Sequence, residues 1–268
     1  MKIGNREFDT RNHTYLMGIL NVTPDSFSDG GKYNRLDAAL FHAEEMIREG
    51  ADIIDVGGES TRPGYTKISD QEEIQRVAPV IRALRERFDV PVSVDTYKSK
   101  VAEAAIQAGA SLLNDIWGFQ ADPEMAAAAA AGGAACCLMH NRKEPVYTDF
   151  MKDVAADLMK SVEIARAAGV ADEKIILDPG VGFAKSYAQN LEVIARLEEL
   201  AALGFPILLG TSRKSVIGKT LDLPADQRLE GTLVTTVYGV QKGCAFVRVH
   251  DIKENLRAIQ MTRALMRG

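Results

Sequence analysis

Short apolar runs that stop at a polar or ionisable residue recur along the whole chain. The first extends from Leu16 to Leu20 and ends before Asn21. Amphipathic stretches of helical length lie between the runs, and the first of them, 36–49, spaces its apolar residues along one helical face. Continuous apolar runs are typical of buried parallel strands. The pattern therefore predicts an α/β protein in which strands and helices alternate from end to end.

The number of repeating units favours a closed barrel. Roughly eight strand and helix units fill the chain, which is what a (β/α)8 TIM barrel requires. An open doubly wound sheet is the alternative, because periodicity does not distinguish a closed parallel sheet from an open one. Residues 1–11 fit a short N-terminal hairpin with Gly4 and Asn5 at its turn. Since no run rich in Pro, Gly and Ser breaks the alternation, we expect residues 1–268 to form one domain.

The net charge and the cysteine pattern restrict the classes of binding partner and the cellular compartment that we expect. A formal net charge of -5 gives no reason to expect binding to nucleic acid. No secretory signal is visible and no run is long and apolar enough for a membrane span, so we expect a cytoplasmic protein without a membrane partner. Cys136, Cys137 and Cys244 form an odd set without CxxC or Cys/His spacing. This pattern predicts reduced thiols and no zinc site.

In a barrel the carboxyl ends of all strands meet at one face. The residues expected to converge there are Asn21, Asp55, Asp95, Asn114, Asp115, His140, Asp178, Lys214, Arg248 and His250, with Thr61 and Arg62 on a neighbouring loop. Asp95, Asn114 and Asp178 make an acceptor-rich group that suits a ligand edge with several N–H donors, such as a 2-amino-4-oxopyrimidine ring. Lys214 can donate to a carbonyl or nitrogen of the same ring.

The cationic residues of this rim suit a second, anionic end of the ligand. Arginine holds phosphate oxygens bidentately, which favours Arg62 and Arg248 for that role. His250 lies two residues after Arg248 on one strand, so both side chains are expected on the same face. Asp55 and Asp115 are interpreted as structural carboxylates that cap a turn or form a salt bridge. His140 is equally well explained as a loop histidine or as a ligand-binding one.

Two loops identify a family. Residues 21–31 (NVTPDSFSDGG) and 55–64 (DVGGESTRPG) closely resemble the two signature loops of the dihydropteroate synthases. The likeness continues, in order, through residues 93–96, 114–115, 138–140, 178–183, 210–215 and 248–250. The resemblance implies a pterin-binding TIM barrel and a sulfonamide target. Its expected reaction joins para-aminobenzoate to a dihydropterin methyl diphosphate, giving dihydropteroate and pyrophosphate in folate biosynthesis.

The resemblance also implies roles for individual residues. The pterin would be held by Asp95, Asn114, Asp178 and Lys214, the diphosphate oxygens by Thr61, Arg62, Arg248 and His250, the accompanying Mg2+ by Asn21, and the aminobenzoate by Pro63, Phe183 and Ser215. Residues 23–32 and 60–68 would close over both substrates as lids. Members of the family are commonly dimers, so a homodimer is expected.

The implied chemistry needs no Ser-His-Asp or Cys-His set. An arylamine is nucleophilic without deprotonation, so the difficult step is departure of a highly charged leaving group. That charge would be offset by Mg2+, Arg62, Arg248 and His250, while Asp95 would stabilise a pterin methylene cation. Two alternatives are a pterin-binding methyltransferase, which the two signature loops disfavour, and an inactive pterin-binding module. The second should have lost Asn21, Arg62 or Lys214, and the chain retains all three.

Overall fold

The computed structural model describes residues 1–23, 32–60 and 66–267, and in that part of the chain short strands alternate with helices. A two-stranded antiparallel hairpin, β1 (Lys2–Ile3) and β2 (Arg6–Glu7), precedes the first helix as predicted. Eight parallel strands follow: β3 (Tyr15–Asn21), β4 (Ile53–Gly57), β5 (Val92–Asp95), β6 (Leu112–Asp115), β7 (Ala135–Met139), β8 (Ile175–Asp178), β9 (Leu208–Leu209) and β10 (Phe246–Val249).

The parallel strands close into a barrel. Hydrogen-bonded neighbours run in the order β8-β7-β6-β5-β4-β3-β10-β9. The two ends of this sheet meet through a parallel bridge between Leu177 and Ile207, where the Leu177 amide donates to the Pro206 carbonyl at 2.9 Å. The predicted (β/α)8 barrel is therefore confirmed, and the open doubly wound sheet is wrong.

Helices surround the barrel. In the described residues they are α1 (Lys32–Glu49), α2 (Asp70–Arg87), α3 (Ser99–Ala108), α4 (Met125–Gly132), α5 (Phe150–Ala167), α6 (Tyr187–Ala195), α7 (Leu197–Ala201), α8 (Ser215–Leu221), α9 (Leu229–Gln241) and α10 (Ile252–Arg267). None of these is both long and apolar enough to cross a membrane.

Two helix ends differ from the sequence-based expectation. Periodicity predicts one helix over 189–203, but Arg196 leaves helical geometry and separates α6 from α7. The alanine-rich run 125–131 predicts a left-handed cap at Gly132, which follows it directly, yet Gly132 lies inside α4 and Gly133 takes that conformation with φ 62°. A run of two glycines leaves the exact cap open, because either one adopts a positive φ without steric cost.

The inside of the barrel changes character along its axis. The amino-terminal half is apolar: Met17, Ile53, Leu112 and Phe246 pack there in one buried cluster with Ile3 and Phe8 of the hairpin segment. The hairpin thus closes the floor. Side chains alternate faces along a strand, so Asp55, Asp95, Asn114 and Arg248 fall on the inward face above this apolar layer. The fold therefore places these four polar side chains in the half that opens toward the strand carboxyl ends.

Candidate active site

Seven side chains from six strands and the segment after β9 meet in the carboxyl-terminal half of the barrel. A Cβ placed on Gly57 would lie 3.4 Å from Asn21 Oδ1 and 3.7 Å from Asp95 Cβ. One placed on Gly210 would lie 3.8 Å from both Asp178 Oδ2 and Lys214 Nζ. The absence of side chains at these glycines leaves room beside the polar groups. We call this set the polar cluster: Asn21, Asp55, Asp95, Asn114, Asp178, Lys214 and Arg248.

Arg248 lies at the centre of the polar cluster. Its Nε donates to Asp55 Oδ2 at 2.6 Å, and its Nη2 donates to Asp95 Oδ2 at 2.8 Å. Burial opposes the charge on Arg248, but the two carboxylates outweigh burial and raise its pKa above the usual value. The sequence pattern predicts an acceptor group and a separate anion-binding group. The structure joins the two groups, because Arg248 contacts the acceptor Asp95 directly.

Asp55 is a member of the site that the sequence analysis left out. Its side chain is fully buried, and Oδ2 accepts from Asn114 Nδ2 at 3.0 Å as well as from Arg248. It does form the salt bridge expected of a structural carboxylate, but that bridge lies inside the polar cluster. Because a carboxylate only accepts, the Asn114 amide NH2 must face Asp55, and the Asn114 carbonyl oxygen is turned away. Asp55 therefore orients both Arg248 and Asn114.

Buried polar atoms without a hydrogen-bond partner are concentrated in and beside the polar cluster. Among the described residues, four buried side-chain polar atoms have no hydrogen-bond partner, and three of them are Asp55 Oδ1, Ser93 Oγ and Asp95 Oδ1. Ser93 pairs with Asp55 in the register of β4 and β5. Native proteins leave few such groups without a partner, so a concentration of them indicates a place for ligand or water. Asp95 Oδ1 in particular is an acceptor ready for an N–H donor.

Burial shifts the ionisation of several cluster residues. It raises the pKa of Asp95 to about 7, with Arg248 opposing the shift and Asp55 adding to it. Burial also raises the pKa of Asp178, against the opposing charge of Lys214. It lowers the pKa of Lys214 to about 8, and Asp178 opposes that shift. Neighbouring opposite charges thus reduce the pKa shifts that burial causes, and the cluster holds groups that titrate near neutral pH.

Lys214 and Phe183 lie together at one side of the polar cluster. The Lys214 Nζ donates to the Val181 carbonyl at 2.5 Å and lies 5.0 Å from the centroid of the Phe183 ring, within cation–π range. Ser215 is exposed and is the first residue of α8, immediately after Lys214. The structure therefore brings these three predicted residues to the same edge of the barrel mouth.

His250 follows β10 at the rim. Its Nδ1 lies 2.9 Å from Ser212 Oγ, which also accepts from the His250 backbone N–H at 3.2 Å. Ser212 is buried, whereas His250 is half-buried. Since the Ser212 hydroxyl has one proton to give, it can donate to Nδ1 and leave the proton of a neutral ring on Nε2. His250 is thus positioned by the segment that precedes Lys214.

Two predicted rim residues are engaged outside the polar cluster. The Asp115 carboxylate accepts from the backbone N–H groups of Trp117 and Phe119 at 2.7 and 2.8 Å, which is a turn-capping role. Burial raises the pKa of Asp115 to about 7. His140 is buried and contacts Asp157 and Lys185 through its two ring nitrogens. His140, which directly follows β7, therefore lies between α5 and the loop that joins β8 to α6.

Asn21 is the residue predicted to bind a metal. It ends β3 half-buried, with its Oδ1 on the Gly57 side of the cavity. Among the residues that the structure covers, no group of three or more His, Cys, Asp and Glu side chains is arranged to hold a metal ion. Mg2+ commonly takes only one or two protein oxygens and fills its shell with water and phosphate oxygens. A single amide oxygen on the wall of this cavity is therefore compatible with a Mg2+ ion delivered together with a diphosphate.

Thr61, Arg62 and Pro63 lie outside the described residues, but the two flanks of their segment are tied together. Glu59 Oε2 accepts from the Ile68 backbone N–H at 2.8 Å, and Lys98 Nζ donates to the Ile68 carbonyl at 2.9 Å. Lys98 also bridges Glu59 Oε2 at 2.8 Å and Glu73 Oε2 at 2.7 Å. Both carboxylates are buried. The sequence does not predict this network, because Glu and Lys side chains are ordinarily exposed.

Replacing Lys98 with methionine should destabilise the protein by about 3 kcal/mol, because it leaves two buried carboxylates without their cation. Burial already raises the pKa of Glu73, whereas Lys98 and other donors outweigh burial and lower that of Glu59. Without Lys98 both pKa values should rise above the unfolded values. The deficit should then be full at pH 7.5 and shrink as pH falls toward about 4.5, where unfolded glutamate titrates.

Urea unfolding at several pH values measures this deficit. The matched control is Lys242→Met, which removes a half-buried lysine paired with the exposed Glu198 at 2.7 Å and should leave stability nearly unchanged. Equal losses in the two variants, or a Lys98→Met deficit that grows as pH falls, would contradict the interpretation.

Comparison with known proteins agrees with the geometry. The family model described as "Pterin binding enzyme" matches residues 17–250. The dihydropteroate synthase of Clostridium beijerinckii is 60% identical over 268 residues, which is 100% of both chains. A crystal structure of dihydropteroate synthase from Clostridium difficile in the presence of pteroic acid has TM-score 0.95 and 53% identity, covering 98% of this chain and 100% of that one. The Yersinia pestis enzyme in a sulfonamide drug complex has TM-score 0.93 and 44% identity, covering 100% and 99%.

The match over residues 17–250 assigns this parallel barrel, with its buried acceptors, lysine and arginine at the mouth, to the pterin-binding enzymes. The resemblance drawn from the sequence is thereby confirmed across the matched length. The chain belongs to the pterin-binding enzymes and, within them, to the dihydropteroate synthases.

Proposed function

We propose that the polar cluster is where this transferase joins (7,8-dihydropterin-6-yl)methyl diphosphate to para-aminobenzoate, giving dihydropteroate and pyrophosphate. Asp95 Oδ1 is buried without a hydrogen-bond partner, and this observation carries the proposal. It supplies an acceptor for a ring N–H of the pterin. The Asn114 carbonyl, turned away from Asp55, and Asp178 supply further acceptors, and Lys214 supplies a donor.

The anionic end of the substrate lies toward Arg248 and His250. Arg248 is held by two carboxylates, so it presents a fixed cation at the barrel mouth. His250 is positioned by Ser212 at the end of the same strand. Thr61 and Arg62 are proposed to add contacts to the diphosphate. Asn21 is proposed to hold Mg2+, which when bound would neutralise charge on the leaving diphosphate.

The aminobenzoate is proposed to lie between Phe183, Pro63 and Ser215. An aromatic ring packs against the Phe183 face, and the exposed Ser215 hydroxyl is available to the carboxylate. This places the amine on the side of the pterin pocket, where it meets the methylene carbon. Binding both substrates in this orientation removes much of the entropic barrier to their reaction.

In the chemical step the C–O bond to diphosphate breaks and the amine nitrogen forms a bond to the methylene carbon. The cleaved electron pair leaves with pyrophosphate, and the amine afterwards loses one proton. The ionised Asp95 carboxylate stabilises positive charge that develops on the pterin, while Arg248 and His250 stabilise negative charge on the leaving group. Each residue thus acts on charge that grows in the transition state, which is the condition for raising kcat.

A cytoplasmic homodimer is the proposed assembly. Large apolar side chains lie exposed on the neighbouring helices α9 and α10, among them Val234 at 68%, Met261 at 59% and Leu265 at 70% exposure. Such a group suits burial against a second copy. Sedimentation velocity tests the assembly directly.

Incubation of the purified protein with the pterin diphosphate, para-aminobenzoate and Mg2+ tests the proposed reaction. Dihydropteroate and pyrophosphate are expected in equal amounts. A protein that binds the pterin but releases no pyrophosphate would instead fit a methyltransferase or an inactive binding module, and the proposal would fail.

A further inference from the structure

Lys185 has a fully satisfied ammonium group beside the polar cluster. It lies in the loop between β8 and α6, and the proposed function gives it no role. Its Nζ donates to the carbonyl oxygens of Gly180 at 3.0 Å and Phe183 at 3.1 Å, and it lies 2.7 Å from His140 Nδ1. An ammonium carries three N–H donors. These three acceptors therefore match what a protonated lysine can give.

His140 ties this arrangement to a helix. Burial lowers the pKa of Lys185 to about 7, and the charge of Asp178 opposes that shift. When Lys185 is protonated, His140 Nδ1 is the acceptor, because an ammonium has only donors. The proton of the neutral ring is then on Nε2, which donates to Asp157 Oδ2 of α5 at 3.1 Å. Burial, with the charge of Lys185 added, lowers the pKa of His140 to about 3 and keeps the ring neutral. The loop is thus connected through Lys185 and His140 to α5.

The backbone of this loop adopts a conformation that needs outside support. Gly180, Gly182 and Ala184 have φ values of 68°, 88° and 45°. Such a φ is unfavourable for alanine. The Tyr147 hydroxyl donates to the Ala184 carbonyl at 2.7 Å, and Asn190 Oδ1 accepts from the Gly182 N–H at 2.5 Å. The side chains of Tyr147 and Asn190 therefore support the loop from outside, and Lys185 supports it from within by binding two of its carbonyl oxygens.

The shape of the loop determines where Phe183 lies. The loop begins at Asp178, whose Oδ1 accepts from the Gly180 N–H at 2.7 Å, and Lys185 binds the carbonyls of Gly180 and Phe183. The Phe183 ring in turn lies 5.0 Å from Lys214 Nζ. Lys185 therefore connects a proposed pterin acceptor with the aromatic wall of the second substrate.

We infer that Lys185 is a positioning residue for the aminobenzoate, because it holds the Phe183 wall at a fixed distance from Lys214 and Asp178. The inference rests on the proposed function, in which Phe183 lines that pocket. Lys185 touches neither substrate in this account and acts through the loop backbone. Its loss should therefore weaken capture of the second substrate more than the chemical step.

Steady-state kinetics of Lys185→Met, with both substrates varied, test the inference. We expect KM for para-aminobenzoate to rise about tenfold, the equivalent of one charge-assisted hydrogen bond. The kcat and the Kd for the pterin diphosphate, measured by calorimetry, should stay within about twofold, because no group that touches the pterin is removed. Unchanged KM values, or equal losses in all three quantities, would overturn the inference.

Lys174→Met is the matched control. Lys174 lies at the opposite end of β8, where its Nζ donates to the Gly133 carbonyl at 2.7 Å. Its removal should leave every kinetic parameter unchanged. If Lys185→Met does not fold, Lys185→Gln provides the test: a rise in the aminobenzoate KM supports the inference, and a wild-type KM overturns it.

Chemical rescue separates the ammonium from side-chain bulk. Lys185→Cys treated with 2-bromoethylamine regains an ammonium at the same reach, and the native cysteines Cys136, Cys137 and Cys244 are buried. The aminobenzoate KM should return toward the wild-type value. Alkylation with iodoacetamide should not restore it, and equal recovery with both reagents would overturn the inference.

If the wild-type protein forms no dihydropteroate, the proposed function fails. If the wild-type protein is active and the Lys185→Met variant has an unaltered aminobenzoate KM, only this inference fails.

Discussion

Replacing Arg248 with methionine is expected to lower kcat by about a thousandfold, the scale seen when one preorganised charge is removed from a transition state. Methionine keeps much of the volume but loses the cation that faces the leaving diphosphate. The pterin itself should still bind, because its acceptors remain. Rapid-quench measurement of pyrophosphate release, together with calorimetric titration of the pterin diphosphate, measures the two effects separately.

The same variant should also lose stability. Arg248 donates to Asp55 at 2.6 Å and to Asp95 at 2.8 Å, so its removal leaves two buried carboxylates without their cation. The expected loss is about 3–5 kcal/mol by urea unfolding. Arg166→Met is the matched control, because Arg166 also contacts two carboxylates, Asp172 and Glu163, but lies at the surface. It should change neither activity nor stability. A substantial kcat in folded Arg248→Met would contradict the catalytic role.

The sequence predicted most of the polar cluster for a simple reason. Asn21, Asp95, Asn114 and Asp178 all lie within the last two residues of a strand. An apolar run that stops at a polar residue therefore marked each of them. The barrel then brought them together without any further information, because all parallel strands end at one face.

Asp55 was missed because its strand continues beyond it. Val56 and Gly57 still belong to β4, so Asp55 lies below the rim and inside the barrel. Reading Asp55 as the end of the run placed it too high and suggested a capping role. A period-two alternation from Ile53 through Asp55 to Gly57 was the available signal, since it sets all three on the inward face.

The sequence could not predict which carboxylates form salt bridges with Arg248, for a different reason. Arg248 is 153 residues from Asp95 and 193 from Asp55, and nothing local distinguishes those carboxylates from Asp178. Only the stagger of neighbouring strands decides which pairs come within hydrogen-bond reach. The Lys98 and Lys185 networks depend in the same way on loop geometry, which periodicity does not encode.

Replacing Asp95 with asparagine is expected to lower kcat/KM by about two to three orders of magnitude, because the amide keeps the shape but loses the charge. The pH dependence provides a second test. Burial raises the Asp95 pKa to about 7, so activity should fall as pH drops through 7 and the carboxylate becomes protonated. Burial lowers the Lys214 pKa to about 8, so activity should fall again above that pH as the ammonium is lost.

The wild-type profile of kcat/KM against pH should therefore be a bell with its maximum between these values. In Asp95→Asn the acidic limb should disappear, because asparagine does not titrate, while the alkaline limb remains. The remaining activity must be followed with enough enzyme to measure it from about pH 5.5 to 9, a range that brackets both groups. An acidic limb of unchanged position in the variant would assign that titration to a group other than Asp95, and Asp95 would then lose its role as the essential carboxylate.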